Sequence, residues 1–565
     1  MTEKNIFICC AAILAAVCSA ADHLPSGLPL CAADVSPDAP QWAKQKGALA
    51  NIDQSPFNPY FLANNPLLKN ITKEQFFPFV DKYGQFVHKD WNGKIRSDAD
   101  LKNAFDKETK WLAAHKNSDG GADAFGGIKC AQNFPKTRHF TTRKIGGKWF
   151  FITPDGNPMW IYGINAVAVS NGTRISGREN YFQSGAVDNP HFRLTYPFDR
   201  KKSVFFNFEA KNKSIKYPDE AAYLARAKER LRAWGFNAIG NWSNPDIVKS
   251  AQMPFFLVCD AVYPKLLSFD KSAKLGHPAP DYFDAAFPAA QAKEIEKIKE
   301  LANSPYCVGV FVGYKIRWQW QKTDIAAQIL ASPPTQAAKI KFAEILKKKY
   351  GGISSLNKAW KTAYANWEAF LAERSVPKHA AAADMEAVKN AYYERFYSVC
   401  AELLNAAAPE TLYLGARFQE YPQDADLVRA AAKHSAAIGV VSYFEKPREM
   451  KLPPNCEDKP IIACEFNFCA TDRGVFGGGF NPCATTAEGV SKFAQFVRGA
   501  LANPNVAGVL YMRWSDCPTS AKHNGENTAS GFLDICDTPV YPMCEMSAKL
   551  GSEAVGTVKS FTNKK

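Results

Sequence analysis

The sequence predicts an α/β fold: a (β/α)8 barrel of the TIM type, preceded by an irregular N-terminal extension. Three observations predict it. From residue 143 onward, short β-branched or aromatic runs alternate with amphipathic stretches, the pattern of βα units on a parallel sheet. Eight such runs can be counted. A chain of 565 residues, 46% hydrophobic, is long enough and apolar enough for one large barrel with appendages.

The eight runs are Met159–Asn165, Phe236–Asn241, Phe255–Asp260, Val308–Gly313, Leu412–Arg417, Ile438–Tyr443, Ile461–Glu465 and Val506–Trp514. Helical stretches such as Asp219–Trp234, Ala289–Ala302 and Met385–Ala406 lie between them, and the connection after the fourth run carries an extra helical excursion, Thr335–Glu373. Residues 21–142 are rich in Pro, Asn and Lys, with one helical stretch at Ser97–His115. They read as an extension wrapping the barrel, which spans 143–550, with a tail at 551–565. No internal repeat or low-complexity tract is found.

Residues 1–20 read as a secretory signal. Lys4 precedes an apolar run from Ile6 to Val17, and Cys18-Ser19-Ala20 offers small residues for cleavage. The run is too short to span a bilayer, and no later stretch has 18 consecutive apolar residues, so no integral membrane segment is expected after its removal. The expected location is secreted, periplasmic or in the cell envelope; Val17 before Cys18 disfavours a lipid anchor. Export also argues against nucleic acid as a partner, and the formal charge of +14 then favours an anionic polysaccharide or envelope. Of fifteen cysteines, Cys9, Cys10 and Cys18 fall in the leader. Cys259, Cys307 and Cys464 sit in apolar runs and read as buried thiols, while bridges among Cys456, Cys469, Cys483, Cys517, Cys536 and Cys544 stay open. No cysteine or histidine pair has metal-ligand spacing, so neither metal nor cofactor is expected.

A barrel presents its chemistry at the C-terminal ends of its strands. The seventh run closes on Glu465, the second on Asn241-Trp242, the fifth on Arg417, the sixth on Tyr443 and the eighth on Arg513-Trp514. A carboxylate among Arg, Asn and Trp points to sugar chemistry, because indoles stack on pyranose faces. With 12 Trp and 13% aromatics the chain has rings to spare, most of them core filling. A structural carboxylate at a strand end is the other reading of Glu465.

Several segments carry a family resemblance: Phe79–Gln85 with Asp90–Lys94, Gly147–Gly156, Leu231–Ser243, Tyr350–Trp360, Lys459–Phe466, and Trp514–Pro518 with Gly525–Asn527. Spread in order over residues 75–545, they resemble the agarase-like glycoside hydrolases, retaining barrel enzymes with two glutamates. The resemblance implies a galactan, agarose-type substrate and assigns the nucleophile to Glu465. Its acid/base glutamate stands in an Asp-Asn-Glu-x-x-Trp pattern closing the fourth strand. This chain reads Gly313-Tyr314-Lys315-Ile316-Arg317-Trp318 there, so Lys315 occupies the acid/base position, while Ser442-Tyr443 replaces an Asn-Tyr pair. Asn241, Trp242, Arg417, Tyr443, Trp318 and Trp514 are the expected sugar-binding residues.

The replacement matters chemically. A retaining glycosidase needs two carboxyls roughly 5–5.5 Å apart, and general acid/base help is worth roughly 10²–10⁴ in rate. A lysine, with an ordinary pKa of about 10.4, is a poor acid at neutral pH. Glu420 and Glu445, just past the fifth and sixth runs, are alternative acids. Lys315 is expected to pair with Glu465 and weaken it as a nucleophile, and the combined change Gly313→Asp, Tyr314→Asn, Lys315→Glu is expected to restore cleavage. Three functions are consistent with this pattern: a hydrolase with a moved or missing acid, an inactive carbohydrate-binding protein on the same fold, and a hydrolase restricted to substrates with good leaving groups.

Overall fold

Nine parallel strands organise the computed structural model, which describes residues 38, 40, 41, 58–115, 121–130, 134–197, 199, 201–270, 274–314, 324–419, 424–443 and 446–562. The leader expected at 1–20 lies outside the described residues. The strands are β1 (Ile161–Ile164), β2 (Ala238–Ile239), β3 (Phe255–Cys259), β4 (Cys307–Val312), β5 (Leu412–Tyr413), β6 (Arg417–Gln419), β7 (Ile438–Val441), β8 (Ile461–Phe466) and β9 (Val506–Tyr511). Their order in the sheet is β5-β4-β3-β2-β1-β9-β8-β7-β6. The two outermost strands are therefore consecutive in the chain, separated only by Leu414-Gly415-Ala416. The run Leu412–Arg417, expected as one strand, is broken because Gly415 adopts φ +69°, a left-handed conformation that suits glycine.

The sheet is tightly curled. Phe311 of β4 lies so close to Gly439 of β7 that a β-carbon on Gly439 would meet its ring at 2.4 Å, although five strands separate the two along the sheet. Ile161, Phe256, Val308, Phe311, Leu414, Ile462 and Leu510 pack together on the concave face, where no helical residue among those described joins them. The convex face packs on helices, among them Glu220–Ala233, Ala286–Ala302, Ala382–Ala407, Thr486–Ala502 and Tyr541–Thr562. The first three begin close to where the sequence places them: Asp219 caps Glu220–Ala233 by accepting the Ala222 N–H at 2.8 Å. The excursion after β4 folds as Ala337–Tyr350, Ile353–Trp360 and Trp367–Ala372. Tyr541–Thr562 runs through the boundary expected at 550, with Leu550, Ala554 and Val558 buried, so no separate tail begins at 551. Among the described residues, no helix is long and apolar enough to cross a membrane. The three cysteines expected as buried thiols are buried and free, and the six left open carry no disulfide.

The extension contributes more than a wrap. Ser97 and Asp100 form a capping box that starts the helix Asp98–Ala114. Phe61, Phe76, Phe79 and Phe86 build an aromatic core with Phe206, Phe208 and Phe476 of the main body. A buried ionic cluster adds a second tie. Arg230 grips Glu108 of that helix through Nε and Nη2 at 2.7 and 2.8 Å, and Asp537 through Nη1 at 2.8 Å. Lys216 lies 3.2 Å from Asp537, whose carboxyl is held well below its ordinary range because the Arg230 and Lys216 charges outweigh its burial.

Breaking one partner of a buried ion pair typically costs about 3–5 kcal/mol, because the remaining charges stay buried. Arg230→Met is therefore expected to lower unfolding free energy by about that much, measured by urea denaturation. A change within experimental error would show that the cluster holds nothing together. A second prediction concerns Asp260, directly after β3. Burial first, and then the charge of Glu294 on the following helix, push its carboxyl from 3.8 up to about 6. The folded chain thus keeps a proton that the unfolded chain has released, and this contribution is lost as pH rises from about 4 to about 6. Asp260→Asn should stabilise the protein by about 3 kcal/mol at neutral pH and by little near pH 4. An equal effect at both pH values would refute the assignment.

Candidate active site

Glu465 projects among polar groups because β8 changes phase beside it. Ile462 and Cys464 face the concave core, whereas Ile461 and Ala463 join the helix-facing one. The pairing register slips on both sides of β8, between Ala463 and Glu465 opposite β7 and between Ala463 and Phe466 opposite β9. The bulge returns Phe466 to the helix side and leaves Glu465 among polar groups of neighbouring strand ends.

The carboxylate is 4% exposed and accepts three hydrogen bonds. Arg417 Nη2 donates to Oε2 at 2.8 Å; the Tyr443 hydroxyl donates to Oε1 at 2.5 Å, and that of Tyr314 to the same oxygen at 3.4 Å. Burial, and next the Glu465 charge, push both phenols well above their ordinary pKa, so they remain neutral donors. Arg417 is itself fully buried. Its Nη2 also donates to the Cys464 carbonyl at 2.7 Å and its Nε to the Cys464 sulfur at 3.2 Å. Its guanidinium lies 4.4 Å from the ring centre of Trp242 and 4.9 Å from that of Tyr314. Burial works against the Arg417 charge, but Cys464 and Glu465 outweigh it and raise its pKa.

Asn165, directly after β1, ties the floor together. Its Nδ2 donates to the carbonyls of Cys464 and Leu510 at 3.1 and 3.3 Å, and its Oδ1 accepts the Asn241 N–H at 2.8 Å. Gly240 is required beside it, since a β-carbon there would meet Asn165 Oδ1 at 2.3 Å. The eight-run pattern ends its first strand on Asn165, yet nothing in the sequence gave that residue a role.

The structure brings Asn241, Trp242, Arg417 and Tyr443 together with Glu465, but two relationships differ from expectation. Arg417, expected to meet sugar, is wholly buried and pairs with Glu465; the pairing expected of Lys315 falls on a residue outside the described ones. Trp514 is not in the cluster. Its ring is fully buried 5.1 Å from that of Trp234, and its N–H donates to the Tyr223 hydroxyl at 3.2 Å, so it packs in the helix-facing core. Lys315, Trp318, Glu420 and Glu445 lie outside the described residues. Glu526, in the loop after β9, is another carboxylate whose charge reaches both Tyr314 and Tyr443; it pairs with Lys522 at 2.5 Å.

Gly313 also changes what a restoring substitution would do. It takes φ +96°, and its carbonyl accepts the Arg417 N–H at 3.1 Å. An aspartate here would be strained by about 1–3 kcal/mol. Gly313→Asp is thus expected to lower stability by that amount in urea denaturation and to shift Arg417; an unchanged midpoint would disprove the strain.

No protein-family model matches the chain. Two curated proteins of Vibrio sp. (strain JT0107) are similar to it. Beta-agarase B is 25% identical over 536 residues, covering 86% of this chain and 56% of that protein. Beta-agarase A is 26% identical over 543 residues, covering 87% and 54%. The chain spans about half the length of the curated relatives it matches. Among solved structures, an agarase and an exo-beta-agarase each superpose with a TM-score of 0.75 at 25% identity, covering 86% of this chain and 74% of theirs. Along most of its length, the chain is thus similar in sequence and fold to the agarase-like glycoside hydrolases.

Proposed function

We propose that this is an exported glycoside-hydrolase-type protein that takes an agarose-type galactan at the Glu465 cleft, by a retaining mechanism with slow turnover. In this reading the curled sheet is a (β/α)8 barrel closed through β5 and β6 as one broken strand. Residues 21–142 form its extension and 1–20 its leader. Glu465 is the nucleophile and Lys315 occupies the acid/base position. Asn241, Trp242, Tyr443 and Trp318 line the sugar site, with Arg417 behind the nucleophile. The observation that carries the proposal is Glu465 itself, a carboxylate at the C-terminal end of a parallel strand, ringed by Arg417, Tyr443, Tyr314 and Trp242, in a chain similar to agarases.

In the proposed reaction, Glu465 displaces the glycosidic oxygen at the anomeric carbon, and that oxygen takes its proton from solvent water for want of a good acid; water then attacks the anomeric carbon of the glycosyl ester, which frees the Glu465 carboxylate and returns a proton to solvent. A second reading, binding without cleavage, is favoured by one observation: Glu465 is already neutralised by Arg417 and bonded by two phenols. Product analysis on agarose oligosaccharides, beside calorimetric binding, decides between them. Glu465→Gln is expected to abolish turnover, by about 10³-fold or more, and to leave binding largely intact. Binding without any wild-type product establishes the second reading. Turnover that survives Glu465→Gln and is lost in Glu526→Gln would remove Glu465 from the chemistry altogether.

A further inference from the structure

At 4% exposure, Glu465 presents little of its carboxylate to a sugar ring. The groups packed over its counter-ion are aromatic. Trp242 and Tyr314 meet edge to face with ring centres 4.9 Å apart, and both lie against the Arg417 guanidinium. Cation–π attraction of this kind holds a closed arrangement without locking it. The Trp242 backbone takes φ +56°, a conformation that a bulky residue seldom adopts and that recurs at functional sites. Both rings are only half-buried, while the groups around them are sealed.

The floor is incompletely satisfied. Arg417 Nη1 and both amide atoms of Asn241 are buried with no hydrogen-bond partner among the described residues. They belong to one connected floor, because the Asn241 N–H bonds Asn165, and Asn165 and Arg417 share the Cys464 carbonyl. Buried polar groups are seldom left unpaired. An amide and a guanidinium N–H together offer donors and an acceptor, which is the complement of sugar hydroxyls.

We infer that Trp242 and Tyr314 form a movable cover over Glu465, and that Asn241 with Arg417 Nη1 is a polar subsite that takes galactan hydroxyls when the cover opens. The inference rests on the reading of Glu465 as the residue that faces sugar. The cover itself is tested without activity, by coupling glycinamide to Glu465 with a water-soluble carbodiimide in the full chain, read by peptide mass spectrometry.

Trp242→Gly removes the ring and relieves the backbone, and should raise coupling at Glu465 by at least ~10-fold over wild type. Tyr314→Ala, which opens the other side, should also raise it. Circular dichroism of each variant checks that the fold is kept. Coupling unchanged or slower in both folded variants overturns the cover, even if Glu465→Gln still abolishes turnover. For the subsite, Asn241→Ala is expected to weaken agarotetraose binding by ~10-fold with coupling at Glu465 unchanged. Equal affinity, or no binding by the wild type, overturns the subsite while leaving the cover to its own assay.

Discussion

A buried carboxylate governs the architecture of the cleft. Taking an ion out of water costs several kcal/mol unless a counter-charge and hydrogen bonds replace the solvent. Glu465 meets that demand with one guanidinium and two phenols, and the phenols act as neutral donors because burial suppresses their ionisation. The requirement then passes outward. Arg417 needs partners in turn, and its Nε and Nη2 use the sulfur and carbonyl of Cys464, the residue next to the one it neutralises, while Nη1 stays unpaired. Asn165 takes the same carbonyl and bonds the backbone of Asn241. Each member is fixed by a neighbour, so removing one leaves others unpaired in a low-dielectric site.

Assembling that network required three strands to depart from simple alternation. Gly313 at φ +96° follows β4 and precedes Tyr314; Gly415 at φ +69° divides β5 from β6 and precedes Arg417; a bulge at Cys464-Glu465 interrupts β8. Each departure redirects the next polar side chain into the site. Hydrophobic periodicity showed the strands well, and it placed Glu465, Asn241, Trp242, Arg417 and Tyr443 at strand ends. It could not show these local phase changes, because a glycine's φ and a bulge depend on the strand alongside. That is why Arg417 read as a sugar contact and emerged as the counter-ion, and why Tyr314 was noted only as a departure from a motif. Trp514 failed for a different reason: a tryptophan just past a strand end can turn to the cleft or to the helices, and Trp234 and Tyr223 lie on the helix side.

Long-range ionic ties were equally hidden. Glu108, Arg230 and Asp537 come from distant parts of the chain and show nothing unusual locally, yet they meet with side chains at most 1% exposed. The proline- and lysine-rich composition of residues 21–142 suggested a loose wrap. What fixes this segment is phenylalanines that complete a core with Phe206, Phe208 and Phe476. Composition averages over a segment, whereas packing depends on a few residues and on the partners they meet. Helix starts, by contrast, were legible where a cap is written locally, as at Ser97 and Asp219.

The same network bears on the proposed retaining reaction at Glu465. Only interactions stronger in the transition state than in the ground state speed a reaction. Arg417, Tyr443 and Tyr314 all stabilise the full negative charge of free Glu465, and that charge is lost as the carboxylate forms a glycosyl ester. Their stabilisation therefore falls along the reaction coordinate and raises the barrier to attack. If Lys315 stands at the acid/base position, as proposed, the leaving oxygen gains little in return. Binding carries no such penalty in the proposed subsite, where Asn241 and Arg417 Nη1 would take hydroxyls while Glu465 keeps its charge. The arrangement around Glu465 thus opposes cleavage more than it opposes recognition, and fast turnover would require these donors to loosen their hold when substrate arrives.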